Sequence, residues 1–206
     1  MPKKIEVNLV LDIGKTNVKL FVFSSKRKIL NKFYTLAKSE EFDKNINIIN
    51  TDKIIKWLFK KIYYLKKKYS IKKLACSTHA CGIALIGYEN QEVMNIIDYE
   101  SNFKFLKNSY SKIIPKFSIS YTPLLENGLN IGIQLYYIYK KYPNILKKTK
   151  YILLYPQFIT WKLTNKFSSE ISYIGCHTHL WNFKKNNYSN LVEYLGILKK
   201  LPPINP

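Results

Sequence analysis

Arginine is almost missing from this chain. Arg27 is the single one among 34 basic residues, and the rest are lysine. The planar guanidinium fork that reads base edges and clamps phosphates bidentately is therefore scarce. Acidic residues are few as well, 13 in all, which leaves a formal net charge of +21 at pH 7. An excess of that size attracts nucleic acid or anionic lipid in general. Here, however, the lysines are scattered among Ile, Asn and Tyr instead of gathered in one stripe, so specific nucleic-acid binding is not expected. Cysteine is limited to Cys76, Cys81 and Cys176, an odd number with no C-x-x-C pair. That pattern argues against a secreted disulfide scaffold and a zinc site. No apolar run reaches the roughly 20 residues of a membrane span. The opening Met1-Pro2-Lys3-Lys4 leads into a stretch broken by Glu6, Asn8 and Asp12, which is too interrupted for a signal peptide. A cytoplasmic globular protein with no membrane partner is the expectation, and 47% apolar residues suffice for a real core.

What the chain does contain is organised around Val7 to Phe23. Two apolar runs with the length and β-branched content of buried strands flank a polar hinge, Asp12 to Asn17. Gly14 permits a tight turn and close approach of a ligand. Thr16 and the local N–H groups can donate to phosphate oxygens, Lys15 and Lys19 can neutralise phosphate charge, and Asp12 can face a hydrated Mg²⁺. The bland alternative is a β-hairpin with a polar turn and an exposed strand lysine.

Further along, Lys28 to Leu36 reads as a third strand and Ala37 to Asn50 as a loop with an extended piece at Ile46–Ile49. Asp52 is the expected N-cap of a helix whose inward face is Ile55, Leu58, Ile62, Leu65 and Tyr69. Strands follow at Lys73–Ser77, Gly82–Tyr88 and Glu92–Ile97, and Ser101–Ser120 is ambiguous. A helix is expected over Glu126–Lys141, ended by Pro143, then a strand at Tyr151–Leu154 and a helix at Gln157–Leu163. Ser189 caps a last helix that Gly196 ends. The expected class is α/β, a mixed sheet with an N-terminal antiparallel meander flanked by helices.

Several polar residues lie where ligands bind. His79 falls just past a buried strand, the usual ligand position in open α/β sheets. Asp98 and Glu100 are expected on one face of a strand end, where paired carboxylates suit a polyhydroxylated ligand. Asn130 and Gln134, four apart on the expected helix, and Gln157 are neutral amides that can both donate to and accept from a polar ligand. His177 and His179 alternate around Thr178 without a third ligand at metal spacing, so a hydrogen-bonded loop is favoured over a metal. For each, a satisfied core or solvated surface residue is the alternative; Trp181 and Cys81 read first as core.

In order along the chain, Asp12-Ile13-Gly14-Lys15-Thr16-Asn17-Val18-Lys19, Ser77-Thr78-His79-Ala80, Ile97-Asp98-Tyr99-Glu100, Gly128 to Leu135, Tyr155-Pro156-Gln157 and Gly175 to Asn182 resemble the N-terminal half of FGGY-family carbohydrate kinases. The branch most resembled is the rhamnulokinase and fuculokinase-like one. The resemblance runs from about Val7 to the last residue, and Ala80-Cys81-Gly82 depart from the family's usual small residues after the histidine. It implies a ribonuclease-H-like (actin/hexokinase-type) domain over residues 1–206, Mg-ATP as cofactor and a ketose or deoxyketose as acceptor. On that resemblance Asp12, Gly14, Lys15, Thr16 and Lys19 hold phosphate, with Asp12 on Mg²⁺ through water. His79, Asp98, Glu100, Asn130, Gln134, Gln157 and His177 would face the sugar. The family's general base and nucleotide lobe are expected after Pro206, so no catalytic base is assigned within the chain. Loss of such a base costs about 10²–10⁴-fold in rate. The chain is thus expected to be an incomplete kinase domain, inactive alone and paired with a separately made C-terminal half, or else a non-catalytic sugar-binding remnant.

Overall fold

A computed structural model describes residues 4–79 and 81–204. The first part of the chain forms β1 (Ile5–Ile13), β2 (Asn17–Ser24), β3 (Ile29–Leu36), β4 (Ser39–Asp43), β5 (Ile46–Ile49), α1 (Thr51–Lys68) and β6 (Tyr69–Thr78). There follow β7 (Ile83–Gly87), β8 (Glu92–Met94), β9 (Ile96–Ile97), α2 (Lys104–Ser111), α3 (Phe117–Ser120) and α4 (Ile131–Lys141). The last part forms α5 (Pro143–Lys148), β10 (Thr149–Leu154), α6 (Tyr155–Thr164), α7 (Ile171–Ile174), β11 (Trp181–Asn182), β12 (Asn187–Tyr188) and α8 (Asn190–Tyr194). Two compact units result. One comprises Met1–Lys38 and Asn50–His79, the other Ser39–Ile49 and Ala80–Pro206.

The first unit is a four-stranded mixed sheet in the order β3-β2-β1-β6. β1 pairs antiparallel with β2 and parallel with β6, and β2 pairs antiparallel with β3. Alternation along the strands decides its faces. Val7, Leu9, Leu11 and Ile13 of β1 and Val18, Leu20 and Val22 of β2 are buried. So are Ile54, Ile55, Leu58 and Leu65 of α1. The cap of α1 is Asn50, whose side chain accepts from the Lys53 N–H, two residues before the expected Asp52. Asp52 instead lies within the first turn, where a negative charge still favours the helix dipole.

In the second unit the extended piece expected at Ile46–Ile49 is present as β5, but Ser39–Asp43 before it is a strand and not the expected loop. Ser39–Asp43 and Ile46–Ile49 pair as an antiparallel hairpin, and β5 pairs with β9. The β4 sequence Ser-Glu-Glu-Phe-Asp has no apolar alternation, so nothing local marks it as a strand. Asp43 anchors this hairpin by accepting from the Tyr137 hydroxyl at 2.6 Å, the Tyr142 hydroxyl at 2.8 Å and the Lys141 ammonium. The expected single strand Glu92–Ile97 is split, since β8 pairs with β7 while β9 joins β5. Around α4 the core gathers Phe103, Tyr110, Ile131, Leu135, Ile138, Ile152, Leu154, Trp181 and Leu191. Ser189 caps α8 by accepting from the Leu191 N–H, and Gly196 follows it at φ +64°, as read from the sequence.

Candidate functional site

At the hinge, the Gly14 N–H donates to the Asn17 carbonyl at 3.0 Å and closes a four-residue turn between β1 and β2. A Cβ at Gly14 would sit 3.1 Å from that same carbonyl, so a side chain there would press on the turn. Asp12 lies opposite Lys19 across the hairpin and opposite Ser77 across the parallel pair with β6. The pairing puts all three on one face of the sheet. Lys19 Nζ is 3.4 Å from Asp12 Oδ2, and their side chains are 36% and 38% exposed. The pair is accessible, and at that exposure it contributes well under about 1 kcal/mol to stability. Thr16 is exposed at the tip, with its carbonyl accepting from the Ala37 N–H at 3.0 Å. The His79 N–H extends the β1–β6 ladder by donating to the Ile13 carbonyl at 3.0 Å, which sets His79 directly beyond the hinge strand. Thr78, quoted only within a motif from the sequence, has a buried hydroxyl with no partner among the described residues.

The second unit holds the remaining nominated residues, and it treats them unequally. Asp98 is 2% exposed. One carboxylate oxygen accepts from the Ser39 hydroxyl and the other from the Glu100 N–H, while the Ser101 N–H closes a turn on the Asp98 carbonyl. That turn is why Asp98 and Glu100 do not share a strand face as expected: the strand stops at Ile97, and Glu100 is exposed while Asp98 is buried. Gln157, in the first turn of α6, is half-buried, and its Oε1 has no donor among the described residues.

The amides of α4 also depart from expectation. The helix begins at Ile131, so Asn130 is its extended N-cap and not a helical partner of Gln134. Asn130 is 1% exposed; its Oδ1 accepts from the Leu125 N–H at 2.8 Å, and its Nδ2 donates to the Pro123 and His177 carbonyls at 3.1 and 3.2 Å. Gln134 is 0% exposed, with Nε2 donating to the Gly128 carbonyl at 2.6 Å and the Cys81 carbonyl at 3.2 Å. Gly132 completes this start. Its N–H donates to the Thr178 carbonyl at 3.0 Å, and a Cβ there would lie 2.7 Å from that oxygen.

His177 and His179 both adopt positive φ, 58° and 61°, an uncommon conformation for non-glycine residues. They point to different environments. His177 is exposed. His179 is buried, with Nε2 facing the Thr122 carbonyl at 3.1 Å and Nδ1 facing the Tyr110 hydroxyl at 2.8 Å. A carbonyl only accepts, so Nε2 carries the proton and the Tyr110 hydroxyl donates to Nδ1. Burial pushes the His179 pKa down to about 4, and the nearby His177 adds to this against the favourable Thr122 bond. Trp181 and Cys81 are core, as read; burial pushes the Cys81 thiol up to about 11, far from a reactive thiolate.

The geometry is thus a tight polar hinge at the end of two strands and a separate unit built on α4. The profile of the FGGY family of carbohydrate kinases, N-terminal domain, matches residues 7–206. The chain belongs to this family. The rhamnulokinase of Ligilactobacillus salivarius is 25% identical over 196 residues, which cover 92% of this chain and 39% of that protein. Among solved structures, a carbohydrate kinase from Novosphingobium aromaticivorans superposes with TM-score 0.87 at 24% identity, over 98% of this chain and 43% of that one. A ligand-bound xylulose kinase from Lactobacillus acidophilus gives 0.82 at 16% identity, over 98% and 42%. The FGGY chain described here therefore spans about two fifths of the length of these relatives. The structural likenesses establish the shared α/β fold with a mixed sheet flanked by helices. No helix among the described residues is long and apolar enough to cross a membrane.

Proposed function

We propose that the chain supplies the phosphate-gripping hinge and the sugar-facing side of an ATP-dependent carbohydrate kinase, within a ribonuclease-H-like (actin/hexokinase-type) domain. The observation that carries this reading is the hinge. Gly14 closes a turn on Asn17, with an accessible Asp12–Lys19 pair on the strands beside it. Phosphoryl transfer depends on positioning and on charge stabilisation, and a tight turn with N–H groups, a hydroxyl and lysines provides both. In this reading the hinge N–H groups and Thr16 hold the phosphoryl oxygens, while Lys15 and Lys19 offset their charge. Mg²⁺ fits one part of the site. Among the described residues no three His, Cys, Asp or Glu side chains gather into a cage, whereas Asp12 offers one partly exposed carboxylate. A single carboxylate beside phosphates suits a metal that keeps most of its waters. When bound, that ion would neutralise charge on the phosphates.

His79, Glu100, Gln157 and His177 are the proposed sugar contacts. The acceptor class is a ketose or deoxyketose, in line with the relatives named for rhamnulose and xylulose. Asp98, Asn130 and Gln134 are buried and already hydrogen-bonded, so their proposed part is to hold backbone in the second unit and not to touch the sugar. The proton-accepting group and the adenine site are assigned to residues beyond these 206, in the same polypeptide or in a separately made C-terminal half. Two measurements test the reading. Rhamnulose, xylulose, gluconate and glycerol are screened by thermal shift on the chain alone, and ADP release is followed with Mg-ATP, with and without a co-expressed C-terminal kinase half. A sugar-dependent shift in the chain alone, with turnover only in the pair, is expected. No sugar response in either assay refutes the kinase reading, and turnover by the chain alone refutes the division of labour.

A further inference from the structure

We infer that Gln134 and Asn130, the two buried amides at the start of α4, are positioning residues that set the backbone of the sugar-facing side without touching the sugar. The inference rests on the kinase reading for its substrate, but its geometry stands apart from it. Four segments meet on these two side chains, all through backbone groups. Gln134 Nε2 joins the Cys81 carbonyl to the Gly128 carbonyl, and the Gly128 N–H in turn donates to the Tyr99 carbonyl at 2.8 Å. Tyr99 lies between Asp98 and Glu100, so the turn presenting Glu100 is tied to α4 through Gly128. Asn130 joins the Pro123–Leu125 segment to the His177 carbonyl, which also accepts from the Ile131 N–H at 3.2 Å. The loop that holds His177 at φ +58° is thereby fixed from two sides.

Gln134 carries a second mark of this role. Its Oε1 is buried and has no donor among the described residues. A buried unsatisfied oxygen is unfavourable. Leucine or methionine, similar in volume, would fill the same space without that oxygen. What only the amide offers is a pair of N–H donors aimed at two carbonyls from distant segments. A residue kept for core packing alone would not need them.

The inference separates stability from binding. For Gln134→Met, the lost donors and the removed orphan oxygen oppose each other, so the melting temperature is expected to stay within a few degrees of wild type. Sugar affinity, measured by calorimetry with whichever of rhamnulose, xylulose, gluconate or glycerol shifts the wild-type chain, is expected to fall at least ~10-fold. Equal affinity in the two proteins overturns the inference. Gln134→Glu guards against a Gln134→Met variant that fails to fold. Protonated, the new carboxyl donates to one carbonyl; ionised, it faces both with acceptors only. Binding by this variant is expected to recover from pH 9 to pH 6 relative to wild type, and a pH-independent ratio overturns the positioning role. Should no sugar bind the wild-type chain, the substrate reading fails by itself. Hydrogen exchange then decides: faster exchange confined to residues 81–82, 99–100 and 128–129 in Gln134→Met supports the inference, and unchanged exchange there overturns it.

Discussion

His179 makes the stability of the second unit depend on pH in a window where few other groups titrate. Its ordinary pKa of 6.5 is lowered to about 4, first by burial. The unfolded chain therefore binds a proton near pH 6.5 that the folded chain refuses until about pH 4. A depressed folded-state pKa on a base means stability is full above pH 6.5, falls as pH drops through the window, and levels off below about pH 4. Linkage gives a slope near 1.2 kcal/mol per pH unit around pH 5, and a cumulative loss of about 2 kcal/mol between pH 7 and pH 5. Carboxylates with ordinary pKa values titrate mostly below that window. The assay is urea unfolding followed by tryptophan fluorescence at half-unit steps from pH 7.5 to 4.5, for wild type and for His179→Gln. The variant keeps an N–H able to reach the Thr122 carbonyl but carries no titrating ring. The expected result is a flatter profile for the variant, the two curves converging towards pH 5. Direct NMR titration of the His179 ring should give a midpoint more than one unit below 6. Parallel stability profiles for the two proteins, or a ring that titrates near 6.5, refute the reasoning.

Asp43→Asn should release the β4–β5 hairpin. Both tyrosine hydroxyls donate to the same Asp43 oxygen, so an amide oxygen there keeps the two bonds but loses their charge assistance, about 1 kcal/mol each, and a loss of about 2 kcal/mol by urea unfolding is expected. Because Lys141, then Tyr137 and Tyr142, hold Asp43 well below the usual carboxylate range, its contribution is present above about pH 4 and is lost as pH falls further; Asp43→Asn should remove that part of the acid sensitivity. Gly132→Ala presses a methyl group against the Thr178 carbonyl and the Tyr110 hydroxyl, and a loss of about 3 kcal/mol is expected from overpacking, read as a lower urea midpoint. Asp12→Asn breaks only a partly exposed pair and should change stability by less than about 1 kcal/mol. In a complete kinase assembly the same variant should cut kcat at least ~100-fold, read by ADP release.

The hinge was the most legible feature of the sequence because its signal is local. Strand, turn and strand lie within some twenty consecutive residues, apolar alternation marks both strands, and Gly14 marks the turn. The third strand and α1 were legible for the same reason, through periods of two and 3.6. What escaped was held by distant partners. β4 is polar and exposed, and it is a strand because β5 pairs with it and because Asp43 reaches two tyrosines and a lysine nearly a hundred residues away. The expected start of α4 lies five residues too early: Glu126–Asn130 contains Gly128 and two asparagines, weak helix formers, and it is held otherwise, the Gly128 N–H donating to the Tyr99 carbonyl and the Asn130 side chain to the Pro123 and His177 carbonyls.

The same limit governs the candidate site. Sequence chemistry selected the side chains able to hydrogen-bond a sugar, but it could not tell which already had partners. An asparagine amide offers one accepting oxygen and two N–H donors. In Asn130 the oxygen holds Leu125, and the nitrogen faces Pro123 and His177, so no hydroxyl is left for it to read. Asp98 is occupied in the same way by Ser39 and Glu100. Glu100 and His177 are left exposed, and each stands on a turn that one of the occupied residues fixes. In the proposed reading, a buried Asp, Asn or Gln beside an exposed Glu or His divides positioning from contact. Substitutions within the first group should loosen the surface as a whole, whereas substitutions within the second should remove single contacts to the sugar.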